Sequence, residues 1–251
     1  MDRSEREAMS ATAVETKSTL ATSVYEQLRA DLLSGLIEPD SKVRVEWVVS
    51  QYGAGASPVR EALNRLASEG LLDRREQRGF SVVPVSEAEL HELTRTRCLL
   101  EETALREAVK YRDETWEEQI VLALHRLSRA PRRQPGDEQR PNAEWEQLHR
   151  KFHRALIASC RSRWLISFCE QLADQAYRYR QIASGNVTSP RDQMAEHRAI
   201  ADQAIAGDVD AAVNALKRHF QLTSDLCLEW LRAQKPAGGQ PTRSARGKNS
   251  E

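Results

Sequence analysis

The sequence predicts a mainly α protein, with a small unit of helices and two strands at residues 20–85 and an all-α helical bundle at residues 86–234. Two observations support this prediction. Apolar residues recur at helical spacing through most of the chain, and strand-like runs occur only between residues 71 and 84. Residues 1–19 and 235–251 are polar, or rich in Pro, Gly and basic side chains, and have no periodicity, which predicts a disordered tail at each end.

Composition argues against a membrane or secreted protein. No apolar run reaches the roughly 18 residues of a membrane span, and no secretory signal precedes the four cysteines. We therefore expect a cytoplasmic protein with reduced, buried thiols. The 37 basic residues balance the 37 acidic ones, so a surface that binds nucleic acid has to be a local patch.

The first unit begins with three predicted helices. Apolar residues at helical spacing predict a first helix over residues 20–34, ended by Gly35, and a short second helix that ends near Tyr52. Ser57 is predicted as the N-cap of the third helix, with Pro58 at its first position.

Two strand-like runs follow, Leu71–Arg75 and Phe80–Pro84, joined by a turn at residues 76–79. Helix, helix, turn, helix and hairpin is the order of a winged helix-turn-helix, whose recognition helix lies in the major groove of DNA. Arg60 lies on the first turn of that helix, where an arginine reaches a guanine edge or a phosphate. The predicted DNA-binding residues are Ser57, Arg60, Asn64, Arg65, Arg74, Arg75, Arg78 and Gly79.

Helical periodicity dominates the second unit. The segment 130–140, rich in Pro and Arg, is predicted as a loop, and no strand signal occurs after residue 84. These features predict a bundle of six or more helices. The candidate helices cover residues 86–111, 113–129, 141–159, 162–184, 190–206 and 208–233.

Four of the six histidines are spaced so that a helical bundle can join them in one metal site. His149 and His153 are four residues apart and share a helix face, and His197 and His219 lie in two later helices. Imidazole nitrogens suit Zn²⁺ or Ni²⁺ better than Mg²⁺ or Ca²⁺. We expect a divalent metal ion, with Zn²⁺ favoured over Ni²⁺.

A sensor, an enzyme and a protein-interaction adaptor are all compatible with a DNA-reading unit joined to a metal site. No His-Glu-x-x-His motif and no general base accompany the histidines. A di-iron bundle needs two Glu-x-x-His pairs, and Glu146 begins one, whereas Leu216 stands three residues before His219. A sensory metal is therefore favoured, with a metal-dependent enzyme that carries a vestigial DNA-binding module as the alternative.

The predicted recognition helix resembles that of GntR-family transcription regulators, in their FadR-like branch. The resemblance rests on the run Gly55–Leu66, which contains Pro-Val-Arg-Glu-Ala-Leu, and on Glu69-Gly70-Leu71 and Arg78-Gly79-Phe80 after it. It implies that the helical unit is an FCD ligand-binding domain, usually dimeric. Family members often carry an arginine where this chain has Ala56, so the operator sequence cannot be borrowed.

The resemblance also implies the metal ligands. In the family an Asp-x-x-Phe-His segment and two later histidines hold a metal, which carries the ligand role onto His153, His197 and His219. His149 stands where the family most often has aspartate, and imidazole can ligate as well. A bound divalent ion then keeps its full charge, which attracts an anion more strongly.

The implied effector is a small carboxylate or dicarboxylate metabolite, held by the metal and by an arginine. Arg97 resembles the cavity-facing arginine of the family's first sensor helix, and a plain pair with Glu101 is the equal alternative. A homodimer would bind an imperfectly palindromic double-stranded DNA operator, with repression relieved by the effector. The other predicted effector-binding residues are Tyr177, Arg178 and Arg180.

Metal affinity should depend on pH if four histidines are the ligands. Protons compete for each imidazole, whose ordinary pKa is about 6.5, so affinity is expected to fall steeply below about pH 6. Metal occupancy measured from pH 5 to 8 checks this, and a flat profile would argue against four histidine ligands with ordinary pKa values.

Overall fold

The computed structural model describes residues 20–75, 79–183 and 191–234, leaving aside the side chains of residues 75 and 138–140. Over these residues the chain is mainly helical and forms two units, each with its own apolar core. The fold class predicted from the sequence is confirmed. The two predicted tails, residues 76–78 of the predicted turn and the segment 184–190 lie outside the described residues.

In the first unit three helices pack with a three-stranded antiparallel sheet. The order is α1 (Leu20–Leu33), β1 (Lys42–Val43), α2 (Val45–Tyr52), α3 (Ala56–Ser68), β2 (Leu72–Arg75) and β3 (Gly79–Val82). β3 is the central strand and pairs with both β1 and β2. The sequence did not predict β1, because two residues are too few to show the alternation by which a strand is recognised.

The turn between α2 and α3 sets the position of the recognition helix α3. Gly53 has φ +64, and its N–H bonds to the carbonyl of Val49 at 3.1 Å, which ends α2 in a left-handed cap. Gly55 is the N-cap of α3, in an extended conformation and without a side-chain cap. The prediction of Ser57 as the N-cap is therefore wrong: Gly55 already forms the boundary, and Ser57 lies inside the first turn.

The second unit is a helical bundle with one small hairpin. Its elements are α4 (Glu87–Lys110), α5 (Glu114–Arg129), β4 (Arg133–Gln134), β5 (Asp137–Pro141), α6 (Ala143–Leu156), α7 (Arg163–Ala183), α8 (Gln193–Ala206) and α9 (Val209–Ala233). α4 packs against α7 and α9, while α5 packs against α6 and α8. Among the described residues, no helix is both long and apolar enough to cross a membrane.

The hairpin replaces the loop that was predicted at residues 130–140. β4 and β5 pair antiparallel, and Gly136 in the turn between them has φ +86. Proline followed by a glycine of positive φ is the signature of a type II turn, so Pro135 and Gly136 close the hairpin. The loop prediction is wrong because the two strands are short and polar, and carry no alternation of apolar residues.

The two units meet along α7, which packs against α1. The Gln175 side-chain amide donates to the carbonyls of Glu69 and Gly70, each at 3.3 Å. The Tyr179 hydroxyl accepts from the N–H of Ser86, at the start of the bundle. Tyr177 packs against the apolar core of the first unit and Ile182 lies beside Gly35, so the junction has both polar and apolar contacts.

Candidate functional site

The recognition helix turns one polar face away from the body of the first unit. Ser57, Arg60 and Asn64 are exposed along α3, at spacings that keep them on one side of a helix. The opposite side carries the buried stripe Val59, Ala62, Leu63 and Leu66. This division leaves the polar face free to contact a nucleic acid.

The other predicted DNA-binding residues differ in their placement. Arg74 is exposed on β2, and Gly79 begins β3 with φ +82. The Arg65 guanidinium instead lies 3.6 Å from the centre of the Tyr25 ring, and its Nε is 3.5 Å from Glu69. Arg65 is thus engaged with α1 inside the unit. Arg78 and the side chain of Arg75 lie outside the described residues.

Four histidines from three helices of the bundle converge on one buried point. His149 and His153 come from α6, His197 from α8 and His219 from α9, and one ring nitrogen of each lies within 4.8 Å of the others. The Nε2 atom of His149 is 3.1 Å from Nε2 of His153 and 3.1 Å from Nε2 of His197. All four side chains are buried.

Aromatic packing positions the histidines of α6. The Trp145 ring, one turn earlier, stacks on His149 with 4.8 Å between ring centres and an interplanar angle of 12°. Phe152, which is fully buried, packs edge-on against His153 and His197. These contacts pack three of the four imidazole rings against aromatic side chains.

Burial makes these imidazoles hard to protonate. Burial, followed by the neighbouring imidazoles and cationic side chains, lowers the pKa of His149 and His153 well below the ordinary value. Burial likewise lowers the pKa of His197 to about 2 and of His219 to about 4. The neutral form that ligates a metal is therefore the resting form, and the fall in metal affinity expected near pH 6 moves to lower pH.

The sequence analysis did not predict the charged side chains that contact His219. The His219 Nδ1–H donates to a Glu196 carboxylate oxygen at 2.9 Å, which leaves Nε2 of His219 as the bare nitrogen. Arg191 pairs with the same carboxylate and donates to the His219 carbonyl at 2.8 Å. Although burial raises it, hydrogen bonds from Arg191 and His219 lower the pKa of Glu196 to about 2.

The donor set fits a divalent metal ion. Four nitrogens placed about 2 Å from one tetrahedral ion lie about 3.3 Å apart, close to the two Nε2 separations of 3.1 Å. The full set lies within 4.8 Å, so the more distant rings would have to move closer to bind the same ion. The lowered pKa values keep the four rings neutral, and the Nε2 atoms donate or accept in these two contacts depending on the tautomer. Neutral imidazoles with bare Nε2 atoms are the form that binds a metal ion. His153 and His197 also leave their Nδ1 atoms buried without a hydrogen-bond partner in the described structure.

A cavity of about 510 Å³ opens over the histidine cluster. His149 and His153 line it together with Arg97, Tyr177 and Arg180, so three of the four predicted effector-binding residues lie in one place. Arg178 does not line the cavity. It is buried on another face of α7 and donates to the carbonyl of Val83 in the chain that joins the two units.

The prediction of Arg178 as an effector-binding residue is therefore wrong. Residues one position apart on a helix point about 100° apart, so Tyr177 and Arg180 share a face that Arg178 cannot reach. Because these residues are close together in the sequence, the sequence alone did not show that their side chains lie on different faces of α7.

Arg97 is paired with Glu101 and also lines the cavity, and its binding of an effector stays a prediction. Its Nε donates to Glu101 at 2.6 Å, and its guanidinium lies 3.8 Å from the centre of the Phe220 ring, yet it also lines the cavity. Burial raises the pKa of the Glu101 carboxyl although Arg97 is beside it. Arg180 is paired in the same way, with Glu146 at 2.8 Å.

A winged helix-turn-helix unit joined to a helical domain is the organisation of a DNA-binding regulator. Residues 20–82 match the family described as bacterial regulatory proteins, gntR family, and residues 92–222 match the FCD domain. The chain belongs to the GntR family of transcription regulators and carries an FCD domain. It is a transcription regulator and not an enzyme.

Similar proteins share this organisation. The chain is 35% identical to the uncharacterized HTH-type transcriptional regulator BphR of Paraburkholderia xenovorans, over 81% of this chain and 83% of that protein. It is 30% identical to the HTH-type transcriptional repressor GlaR of Escherichia coli, over 78% and 90%. The solved structure of E. coli McbR/YncC shares the fold with a TM-score of 0.70 at 22% identity, over 85% and 99% of the two chains.

Replacing His153 by alanine should remove bound metal. The variant deletes one of the four imidazoles, and loss of a ligand is expected to lower metal affinity by more than the roughly 10–100-fold that loss of an outer-shell partner costs. Elemental analysis of the purified protein measures this. His125→Ala is the matched control, because His125 is exposed on α5; equal metal content in the two variants would contradict a histidine site.

Proposed function

We propose that the protein is a metal-dependent transcriptional repressor whose operator binding is controlled by a small carboxylate metabolite. The observation that supports this most is the cavity of about 510 Å³, with buried imidazoles at its base and arginines in its walls. Ligand sites are concave and use convergent polar groups to orient the ligand, and imidazole and guanidinium groups supply them in this cavity. Its position in the FCD domain separates it from the DNA-binding surface.

The four histidines would hold the metal, with Zn²⁺ favoured and Ni²⁺ possible. The metal would supply a Lewis acid with positions open to a carboxylate when it accepts five or six ligands. None of the four proposed protein ligands is a carboxylate, so the bound metal ion would keep its full positive charge. An anionic effector is therefore favoured over a neutral one.

The arginines of the wall suit a second carboxylate. Arg97 and Arg180 present guanidinium groups to the cavity, and each is oriented by a glutamate that restricts its rotation. Tyr177 lies between Arg150 and Arg180, with the two guanidinium carbons 5.1 and 5.6 Å from its ring centre. A dicarboxylate bound by the metal at one end and by an arginine at the other fits this arrangement.

Two copies of the chain would bind an imperfectly palindromic operator. Winged-helix and helix-turn-helix dimers place two recognition helices in successive major grooves. The exposed residues Ser57, Arg60 and Asn64 would contact bases or phosphates, with Arg74 and Gly79 at the wing. The relative GlaR is named a repressor, which supports repression rather than activation.

Native mass spectrometry of the purified full-length protein tests the proposal as a whole. We expect the mass of a dimer with one metal ion for each chain, together with any carboxylate that co-purifies. Elemental analysis identifies the metal. A monomer free of metal, whose operator binding is unaffected by added Zn²⁺ and by dicarboxylates, would contradict it.

Replacing Arg60 by alanine should weaken specific operator binding without unfolding the protein. A good arginine contact to a base is worth about 1–3 kcal/mol of discrimination. Fluorescence anisotropy with DNA from the protein's own promoter region measures the change. Arg126→Ala, an exposed arginine on α5, is the control. If both variants bind like the unmodified protein, α3 is not the recognition helix.

A further inference from the structure

One turn of α7, around Asp174, lies between the proposed effector cavity and the winged-helix unit. Asp174 lines the cavity of about 510 Å³ and also lines a second cavity of about 320 Å³, which lies between the two units. Arg29 of α1 and Glu69 at the end of α3 line that second cavity. The side chain of Asp174 is only 14% exposed, so its contacts lie within the protein.

Asp174 contacts one arginine beside each of the two cavities. Its Oδ1 atom is 2.5 Å from Nη1 of Arg150, which follows His149 on α6 and lines the effector cavity. Its Oδ2 atom accepts a hydrogen bond from Nη2 of Arg29, on the first helix of the winged unit. A single carboxylate thus joins the sensor to the DNA-binding unit.

The chain of contacts continues to the recognition helix. The Arg29 Nε lies 3.4 Å from a Glu69 carboxylate oxygen, and the Tyr25 hydroxyl donates to the same carboxylate at 2.7 Å. Glu69 is the C-cap of α3, and its carbonyl accepts from Gln175, one residue after Asp174. Any displacement of Asp174 therefore acts on the end of the helix that presents Arg60.

We propose that Arg150 binds a carboxylate of the effector and that Asp174 transmits this event to the winged helix. The inference rests on the proposed function and names its route of regulation. Arg97 and Arg180 are paired with glutamates of the bundle, whereas Arg150 is paired with a carboxylate that the winged helix also uses. The fourth arginine of the cavity, Arg154, is paired with Glu170 of α7. Capture of Arg150 would change a contact that joins the two units.

The electrostatics give the direction of the effect. A carboxylate bound to Arg150 lies beside Asp174, and two like charges at that distance repel each other. Asp174 then loses Arg150 as a partner and moves away from the ligand, for which the second cavity leaves room. Its bond to Arg29 is disturbed, and the recognition helix loses the position in which it binds the operator.

A double-variant cycle tests the link without any ligand. Asp174→Asn keeps the shape of the side chain and removes its charge, and Arg29→Gln removes the partner. Each substitution should weaken operator binding by roughly tenfold, within the usual range of coupling between sites. The double variant should lose no more than either single variant. Losses that multiply, or no loss in either single variant, would overturn the link.

A second measurement tests Arg150 itself. The ratio of operator affinities with and without glutarate, and with and without succinate, is measured by anisotropy on the Zn²⁺-loaded full-length protein. Arg150→Gln should bring this ratio to about 1, while the control Arg106→Gln keeps the ratio of the unmodified protein. Arg106 also bridges two carboxylates, Glu102 and Asp210, but lies away from both cavities.

The outcomes separate this inference from the proposed function. A full response in Arg150→Gln would show that Arg150 does not bind the effector, although the regulator responds to carboxylates. If the unmodified protein responds to neither glutarate nor succinate, the proposed control by dicarboxylates fails. The double-variant cycle of Asp174 and Arg29, which is measured without ligand, still decides whether the two units are coupled through Asp174.

Discussion

The burial of four imidazoles at one point constrains how most helices of the helical domain pack. α6, α8 and α9 all have to meet at this point, and α4 and α7 enclose it with arginines. A buried polar atom without a partner costs about 1–3 kcal/mol, and His153 and His197 each bury such an atom within the described structure. A cation held by the four bare nitrogens would stabilise this arrangement, so we expect the packing of the domain to depend on the proposed ion.

The four histidines are held in place by different kinds of contact. His219 is held by the carboxylate of Glu196, and Arg191 stabilises that carboxylate in turn. His149 relies on stacking with Trp145 instead. A carboxylate in the outer shell makes an imidazole a stronger donor to a metal. His219 is therefore the proposed ligand whose tautomer is fixed by a hydrogen bond, whereas His149 is positioned by packing.

The elements that the sequence predicted well are those with a strong local signal. The apolar stripe of α3 and the spacing of His149 and His153 have helical periods, and both appear as expected. The residues that were missed have no such signal. Asp174 is one acid among many on helix surfaces, and only the fold brings it between Arg29 and Arg150. Arg178 was misplaced because neighbouring positions were treated as one group, although a helix turns them to different faces.

The junction along α7 has a thermodynamic consequence. Hydrogen bonds from Arg29 to Asp174 and from Gln175 to Glu69 join the winged helix to the bundle. If ligand and operator draw on the same contacts, each lowers the affinity of the protein for the other by the same factor. A protein bound to its operator would then release it only at a higher concentration of metabolite than is needed to saturate the free protein.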